Sequence, residues 1–182
     1  MEKSENSFKL LLEILAGVTL LLAPIIWVYL QIKRGHENKY AIVKTIALIQ
    51  ALDTACKAYR INFGVYPPND MCDSRCLHYY LGRPRIMLPA QRDDAGPFGT
   101  TVKYPPLIDF PAEWLQLQKG QIPDPNQPVP IVDAWGNPIK YVNPGRFNPL
   151  GVDIWSPGQN GKDEPVPKGS DSDDIANWQR EY

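Results

Sequence analysis

Residues 10–30 read LLLEILAGVTLLLAPIIWVYL, an apolar run whose one charge is Glu13. At about 1.5 Å per helical residue this run spans about 31 Å, enough to cross a hydrocarbon core of about 30 Å. Trp27 and Tyr29 stand near one end, where aromatic belts form. The run is long and no A-x-A-like cleavage site follows it, so the pattern predicts a retained anchor rather than a removed signal peptide. Pro24 lacks an N–H donor and should kink or locally open the helix. The pattern then changes. Ile42, Ile46, Ile49, Leu52, Cys56, Tyr59 and Phe63 are spaced by steps of 4, 3, 3, 4, 3 and 4, which is one face of a helix. Lys44, Asp53, Lys57 and Arg60 fall on other faces, and Asn62, Gly64 and Tyr66-Pro67-Pro68 form a stop signal. The first third of the chain therefore reads as one long helix. Its first half suits lipid. Its second half is amphipathic, and its C-terminal part is expected to pack on the chain's own globular portion.

Downstream the periodicity is weaker. Residues 67–130 are rich in Pro, Gly and short polar runs, and are expected to be mostly irregular, with short helices near 76–81 and 112–118. From Ile131 strand signals return. Asn137-Pro138 introduces a strand at 139–142, Asn143-Pro144-Gly145 is a turn, and 152–155 alternates as a second strand. A Gly/Asp/Pro/Ser loop covers 157–173, and 175–178 makes a third short strand or a packed tail. One helix against a small antiparallel sheet is an α+β arrangement.

Composition narrows the chemistry. Among 182 residues, 19 Lys and Arg nearly balance 20 Asp and Glu, which removes the global electrostatic argument for a nucleic-acid partner. Of the 19 prolines all but Pro24 lie at or beyond Pro67, so no proline interrupts the amphipathic helix. Three Cys and two His leave little material for a Cys/His metal centre or a Cys-His nucleophile pair. No P-loop, G-x-S-x-G or H-E-x-x-H motif is present, and the chain is not expected to be an enzyme. Cys72 and Cys76 flank Asp73-Ser74-Arg75, a spacing that suits a small local disulfide in an oxidising compartment. His78 makes C-x3-C-x-H, so zinc is the alternative, short of a fourth ligand. Cys56, on the apolar helix face, reads as a buried free thiol.

Glu13 has two readings: an interfacial carboxylate that snorkels to water, or one paired with a positive group on a neighbouring subunit. Lys3 and Lys9 precede the apolar run, whereas Lys33, Arg34, Lys39 and Lys44 follow it. By charge count alone the C-terminal part would face the cytoplasm. The disulfide reading points the other way.

Three ordered motifs close the chain. Asp133, Trp135, Gly136, Asn137 and Pro138 form the first. Asp153, Ile154, Trp155, Ser156, Gly158, Asn160 and Gly161 form the second. Asp174, Ile175, Asn177 and Trp178 form the third. Together with Ala51-Leu52-Asp53, Tyr59, Gly64, Tyr66 and Pro67 at the helix end, they resemble the major pseudopilin of type II secretion systems, within the type IV pilin-like family. The resemblance covers roughly 39–68 and 131–178. Ala134 stands where the family has proline, Ile139 where it has an aromatic, and 69–129 is longer than the family's usual connection. At the N-terminus Ser7 replaces the glycine that prepilin peptidase cuts after, and Glu13 lies one residue further from Phe8 than in the family.

The resemblance implies a pilin-like α+β fold in five segments: a leader-like 1–9, a transmembrane helix at 10–30, an amphipathic helix at 31–66, a Pro-rich variable insert at 67–130, and an antiparallel sheet with a calcium-type loop at 131–182. It implies a structural subunit of a pseudopilus or related filament, with Phe8, Glu13 and Pro24 serving assembly through the N-terminal helix. Its partners would be copies of itself or other pseudopilins and an inner-membrane assembly platform. Its place would be the inner membrane, with a periplasmic C-terminal domain. It also implies structural calcium at Pro157, Asn160, Asp171, Ser172 and Asp174, because calcium takes 6–8 hard oxygen ligands from carboxylates, amides and carbonyls. The rival reading is an uncleaved single-pass adaptor with a pseudopilin-like periplasmic domain.

Overall fold

The computed structural model describes residues 2–71, 73–87, 102–164 and 172–179, with the side chains of 2–18, 21, 87 and 102 outside that description. Helix α1 runs Glu2–Phe63, and Pro24 lies inside it without ending it. The chain divides into two units, Met1–Tyr40 and Ala41–Tyr182. In the first unit the described side chains of α1 are almost all exposed, including Trp27, Tyr29, Leu30 and Ile32. Among the described residues no helix is long and apolar enough to cross a membrane, and much of the expected 10–30 span falls on side chains outside the description.

In the second unit, α1 buries Ala41, Thr45, Leu48, Ile49, Leu52, Ala55, Cys56 and Tyr59. The stripe is covered from Ile49 onward, in the C-terminal part expected to pack, whereas Ile42 and Ile46 are 37% and 38% exposed. The buried face there starts from Ala41 and Thr45 instead. The Ala134 N–H donates to Thr45 Oγ1 at 3.2 Å, so the turn after Ile131 sits against the small side chains and not against the isoleucines. Lys44 anchors the neighbouring flank through an ion pair with Glu113 at 2.9 Å.

Helix α2, Arg75–Leu81, forms where a short helix was expected, and it supplies Cys76, Leu77 and Leu81 to the core. Ser74 does not cap it with its side chain. Its hydroxyl accepts from the Ile131 N–H at 3.0 Å and donates to the Ile131 carbonyl at 3.4 Å, tying α2 to the start of the C-terminal segment. The 67–130 region is less irregular than its composition suggests. Strands β1, Arg85–Met87, and β2, Val102–Tyr104, pair antiparallel with Ile86 opposite Lys103. Three residues per strand are too few to display alternation, so the sequence carried no signal for them. The expected helix near 112–118 shrinks to a 3-10 turn at Ala112–Trp114. It stops because Leu115 turns extended and bridges Ile131.

Strands β3, Lys140–Val142, β4, Asp153–Ser156, and β5, Ile175–Ala176, form an antiparallel sheet in the order β3-β4-β5. Tyr141 lies opposite Ile154, and Trp155 opposite Ala176. Leu48, Leu52, Leu77, Leu81, Ile139 and Ile154 belong to one hydrophobic cluster that joins α1, α2 and this sheet. The architecture of the second unit is therefore α+β: a helix end, a short helix and two small antiparallel sheets.

Candidate functional site: the C-terminal loop and its scaffold

All four residues of β4 are buried, and two of them are polar. Burying Asp153 and Ser156 without partners would cost several kcal/mol, so the surrounding chain has to bend its N–H groups toward them. Asp153 Oδ2 accepts from the Phe147 N–H at 2.8 Å and Oδ1 from the Asn148 N–H at 2.9 Å, which shapes the loop between β3 and β4. Gly145 is required there, because a Cβ on it would lie 2.5 Å from Asp153 Oδ1. Ser156 donates to Asp133 Oδ2 at 2.6 Å and accepts from the Gly158 N–H at 3.0 Å. The other Asp133 oxygen takes the Trp135 and Asn137 N–H groups at 2.9 and 2.8 Å. Asn137 then donates to the Gly158 carbonyl at 2.7 Å. Gly136, with φ of 89°, closes the turn.

The third motif locks to the helix. Asn177 Nδ2 donates to Asp53 Oδ1 at 3.0 Å and to the Val152 carbonyl at 2.9 Å, while its Oδ1 accepts from the Ile154 N–H at 3.0 Å. Lys57 holds the other Asp53 oxygen at 2.9 Å. Trp178 stacks on Phe147 at 4.5 Å between centroids, and Trp155 meets Trp178 edge-on at 5.7 Å. The motif residues are thus a polar scaffold that joins the sheet, the 133–138 turn and α1.

This scaffold presents the loop expected to hold calcium. Gly158, φ of 65°, leaves β4 against Asp173, whose carbonyl a Cβ on the glycine would strike. The Asn160 N–H and side-chain amide donate to Asp173 Oδ2 and Oδ1 at 2.9 and 2.5 Å. Asn160 Oδ1 accepts from the Lys162 N–H at 2.6 Å. Ser172 Oγ accepts from the Asp174 N–H at 3.1 Å and donates to the Glu164 carbonyl at 3.4 Å. Asp174 Oδ2 accepts from the Glu164 N–H at 3.2 Å, but its buried Oδ1 has no hydrogen-bond partner. Burial pushes the Asp174 carboxyl above its ordinary range, against the hydrogen bonds from Ser172 and Glu164. Ser172 and Asp174 meet through the Asp174 N–H, Asn160 is bonded to Asp173 and Lys162, Pro157 is buried, and Asp171 lies outside the described residues. Hard oxygens and an orphaned carboxylate oxygen fit a cation such as calcium. Among the described residues no three His, Cys, Asp or Glu side chains group as a metal centre, so the fit rests on the unpartnered Asp174 Oδ1.

The remaining expected residues separate. The side chains of Phe8 and Glu13 lie outside the described residues, and Pro24 lies mid-helix. Cys56 is a free, buried thiol, as expected, and burial and the Asp53 charge push its pKa well up. Cys76 is also a free, buried thiol. Its S–H donates to the Asp73 carbonyl at 2.7 Å, and burial pushes its pKa up to about 12. Cys72, the other end of the expected disulfide, lies outside the described residues. His78 is 1% exposed and accepts from the Val129 N–H at Nδ1, 3.2 Å away, so that nitrogen is engaged in holding the insert.

Two residues with structural roles were not singled out from sequence, and a third, Asp53, was quoted in the helix-end motif without a role. Asp163 accepts from Trp155 Nε1 at 2.8 Å and pairs with Lys140 at 3.2 Å. Asp53 is the helix anchor for Asn177. Arg85 lies over the rings of Tyr80, Tyr59 and Phe63 at 4.5, 5.3 and 5.9 Å, a cation–π seat where β1 meets α1. A charge that serves a distant partner leaves no local pattern to read.

No family model matches the chain. A crystal structure of the major pseudopilin from the type 2 secretion system of enterohaemorrhagic Escherichia coli aligns with a TM-score of 0.42 and 23% identity, over 79% of this chain and 87% of that one. The type II secretion system core protein G of Pseudomonas aeruginosa is 48% identical over 48 residues, 26% of this chain. The chain spans about 30% of that relative's length. Over those residues, this chain is similar to a type II secretion core protein G.

Proposed function

We propose that the protein is a structural, pilin-like subunit of a type II secretion pseudopilus or related filament. The observation that carries this reading is the scaffold itself. The three motifs that resemble the major pseudopilin are joined by Asp133–Ser156, Asn137–Gly158 and Asp53–Asn177 contacts. The 48%-identical segment shared with a core protein G supports the same reading. In it α1 anchors the subunit in the inner membrane and packs against other copies or other pseudopilins at an assembly platform, with the α+β unit in the periplasm. The chain performs no chemistry, and force comes from elsewhere in the system.

Calcium, when bound, would tie the 157–174 loop. Asn160, Asp171, Ser172, Asp174 and the Pro157 carbonyl would hold it, and its charge would offset the buried Asp174 carboxylate. The ion has a structural role here.

The intact mass of the protein taken from native membranes or fibres tests the assembly reading. Loss of residues 1–7 is expected for a processed filament subunit. A full-length chain absent from fibres would overturn it in favour of a permanently anchored adaptor, the reading that Ser7 and the position of Glu13 favour.

A further inference from the structure

Asn160 precedes Gly161, and no other asparagine of the chain precedes a glycine. Asn137, Asn143 and Asn148 precede prolines, which carry no N–H. The Asn160-Gly161 pair lies on the turn that leaves β4, and both residues are exposed to water. Gly161 has a φ of 67°, and a Cβ on it would lie 3.0 Å from Asn137 Oδ1, so the turn itself calls for glycine. The same glycine leaves its peptide nitrogen unshielded by a side chain, next to the Asn160 carboxamide.

That carboxamide is held at both ends. Its Nδ2 donates to Asp173 Oδ1 at 2.5 Å, and its Oδ1 accepts from the Lys162 N–H at 2.6 Å. The second bond folds the side chain back over the Gly161 peptide. It also draws electron density from the carbonyl carbon, as a donor to a developing oxyanion does. Among the described residues no hydrogen bond engages the Gly161 N–H. A nucleophile and a polarised amide carbon are therefore neighbours on an exposed turn.

The geometry points to Asn160 as a site of spontaneous deamidation that releases the Asn160–Asp173 latch. The Gly161 nitrogen gives its proton to water and attacks Asn160 Cγ. A C–N bond forms, the Cγ–Nδ2 bond breaks, and Nδ2 leaves as ammonia with a proton from water. A second water opens the cyclic imide to aspartate or isoaspartate. The net change is amide plus water to carboxylic acid plus ammonia, with no oxidant or reductant. The product has no amide donor for Asp173, and only the backbone N–H of residue 160 still reaches that carboxylate. The new carboxylate would face Asp173 at hydrogen-bonding range, where like charges repel. Isoaspartate also lengthens the backbone of the turn. This inference stands apart from the filament and calcium readings.

Two measurements on the full-length chain in detergent and EDTA test it. The freshly purified protein is aged in mildly alkaline buffer and mapped by peptide mass spectrometry. The expected result is aspartate and isoaspartate at position 160 ahead of every other asparagine. Earlier conversion of another asparagine, or an unmodified Asn160, overturns the site. Asn160→Asp makes the product without ageing, and limited trypsin digestion reads the latch at the neighbouring, exposed Lys162. Cleavage at Lys162 should be severalfold faster in Asn160→Asp than in the wild type, with cleavage at Arg75 in α2 unchanged. Equal cleavage at Lys162 in the two proteins overturns the release of the latch, and faster cleavage at both sites overturns its confinement to this turn.

Discussion

Ser156 Oγ lies 2.6 Å from Asp133 Oδ2, and the proton it donates joins two motifs 23 positions apart in the chain. Both residues are buried, at 0% and 4% exposure. The same hydroxyl accepts the Gly158 N–H, so one side chain sets both the 133–138 turn and the exit of β4. Ser156→Ala leaves a buried carboxylate oxygen and a buried N–H without that partner. Urea unfolding of Ser156→Ala should show a loss of about 2–4 kcal/mol, the cost of stranding polar groups of this kind. A loss under about 0.5 kcal/mol would mean the scaffold is dispensable.

The Asn177 side chain makes four hydrogen bonds that join the chain end to α1, β4 and the loop before β4. Asn177→Leu keeps the branched shape and removes all four. It should speed proteolysis in the 157–179 region more than it affects α2, because the lost bonds anchor β5. Equal cleavage of wild type and variant there would contradict this.

The stripe along α1 predicts two different outcomes for similar residues. Leu52 is fully buried, and Leu52→Ala should cost about 2–5 kcal/mol. Ile42 is partly open, and Ile42→Ser should cost within about 0.5 kcal/mol in the unassembled protein. Thermal unfolding of the two variants in dilute detergent checks where along α1 the apolar row is covered.

His78 gives the pH dependence a sign. Burial pulls its pKa below the ordinary 6.5, with the Asp124 charge opposing. Between that lowered value and 6.5 the unfolded chain binds more protons than the folded one, so stability is full above pH about 6.5 and falls with acidification through that window. Protonation also removes the acceptor for the Val129 N–H. His78→Gln should flatten the stability profile between pH 6.5 and 5, read by urea midpoints at each pH.

Asp174 behaves oppositely. Its carboxyl is held above the ordinary carboxylate range by burial, so without a cation its ionisation weakens the fold as pH rises from about 4 through the raised pKa. Calcium at a hundredfold excess over its Kd would stabilise the protein by about 2.7 kcal/mol. Asp174→Asn should abolish that increment while leaving the calcium-free protein at least as stable at neutral pH. Melting curves in calcium and in EDTA, wild type against variant, check both halves. Identical curves for the wild type in the two buffers would remove the calcium reading.

The long helix, its end near Phe63, the strands at 140–142 and 153–156 and the buried Cys56 were legible because each rests on a local rule: period, turn residues or apolar placement. The motif residues were legible too, but as a resemblance and not as a mechanism. That Asp133, Ser156, Asp53 and Asn177 satisfy one another depends on which segments lie side by side, and hydrogen-bond partners leave no spacing to read in one sequence. The same reason hid Asp163 and Arg85, whereas β1 and β2 are too short to display alternation. Ile42 and Ile46 mark the boundary most sharply. That α1 carries an apolar row follows from residue order, because periodicity is a property of the helix alone. Where that row is covered came from the packing of distant segments, because burial depends on the surface facing the helix, and Thr45 bonds the 133–138 turn while Ile42 and Ile46 stay partly exposed.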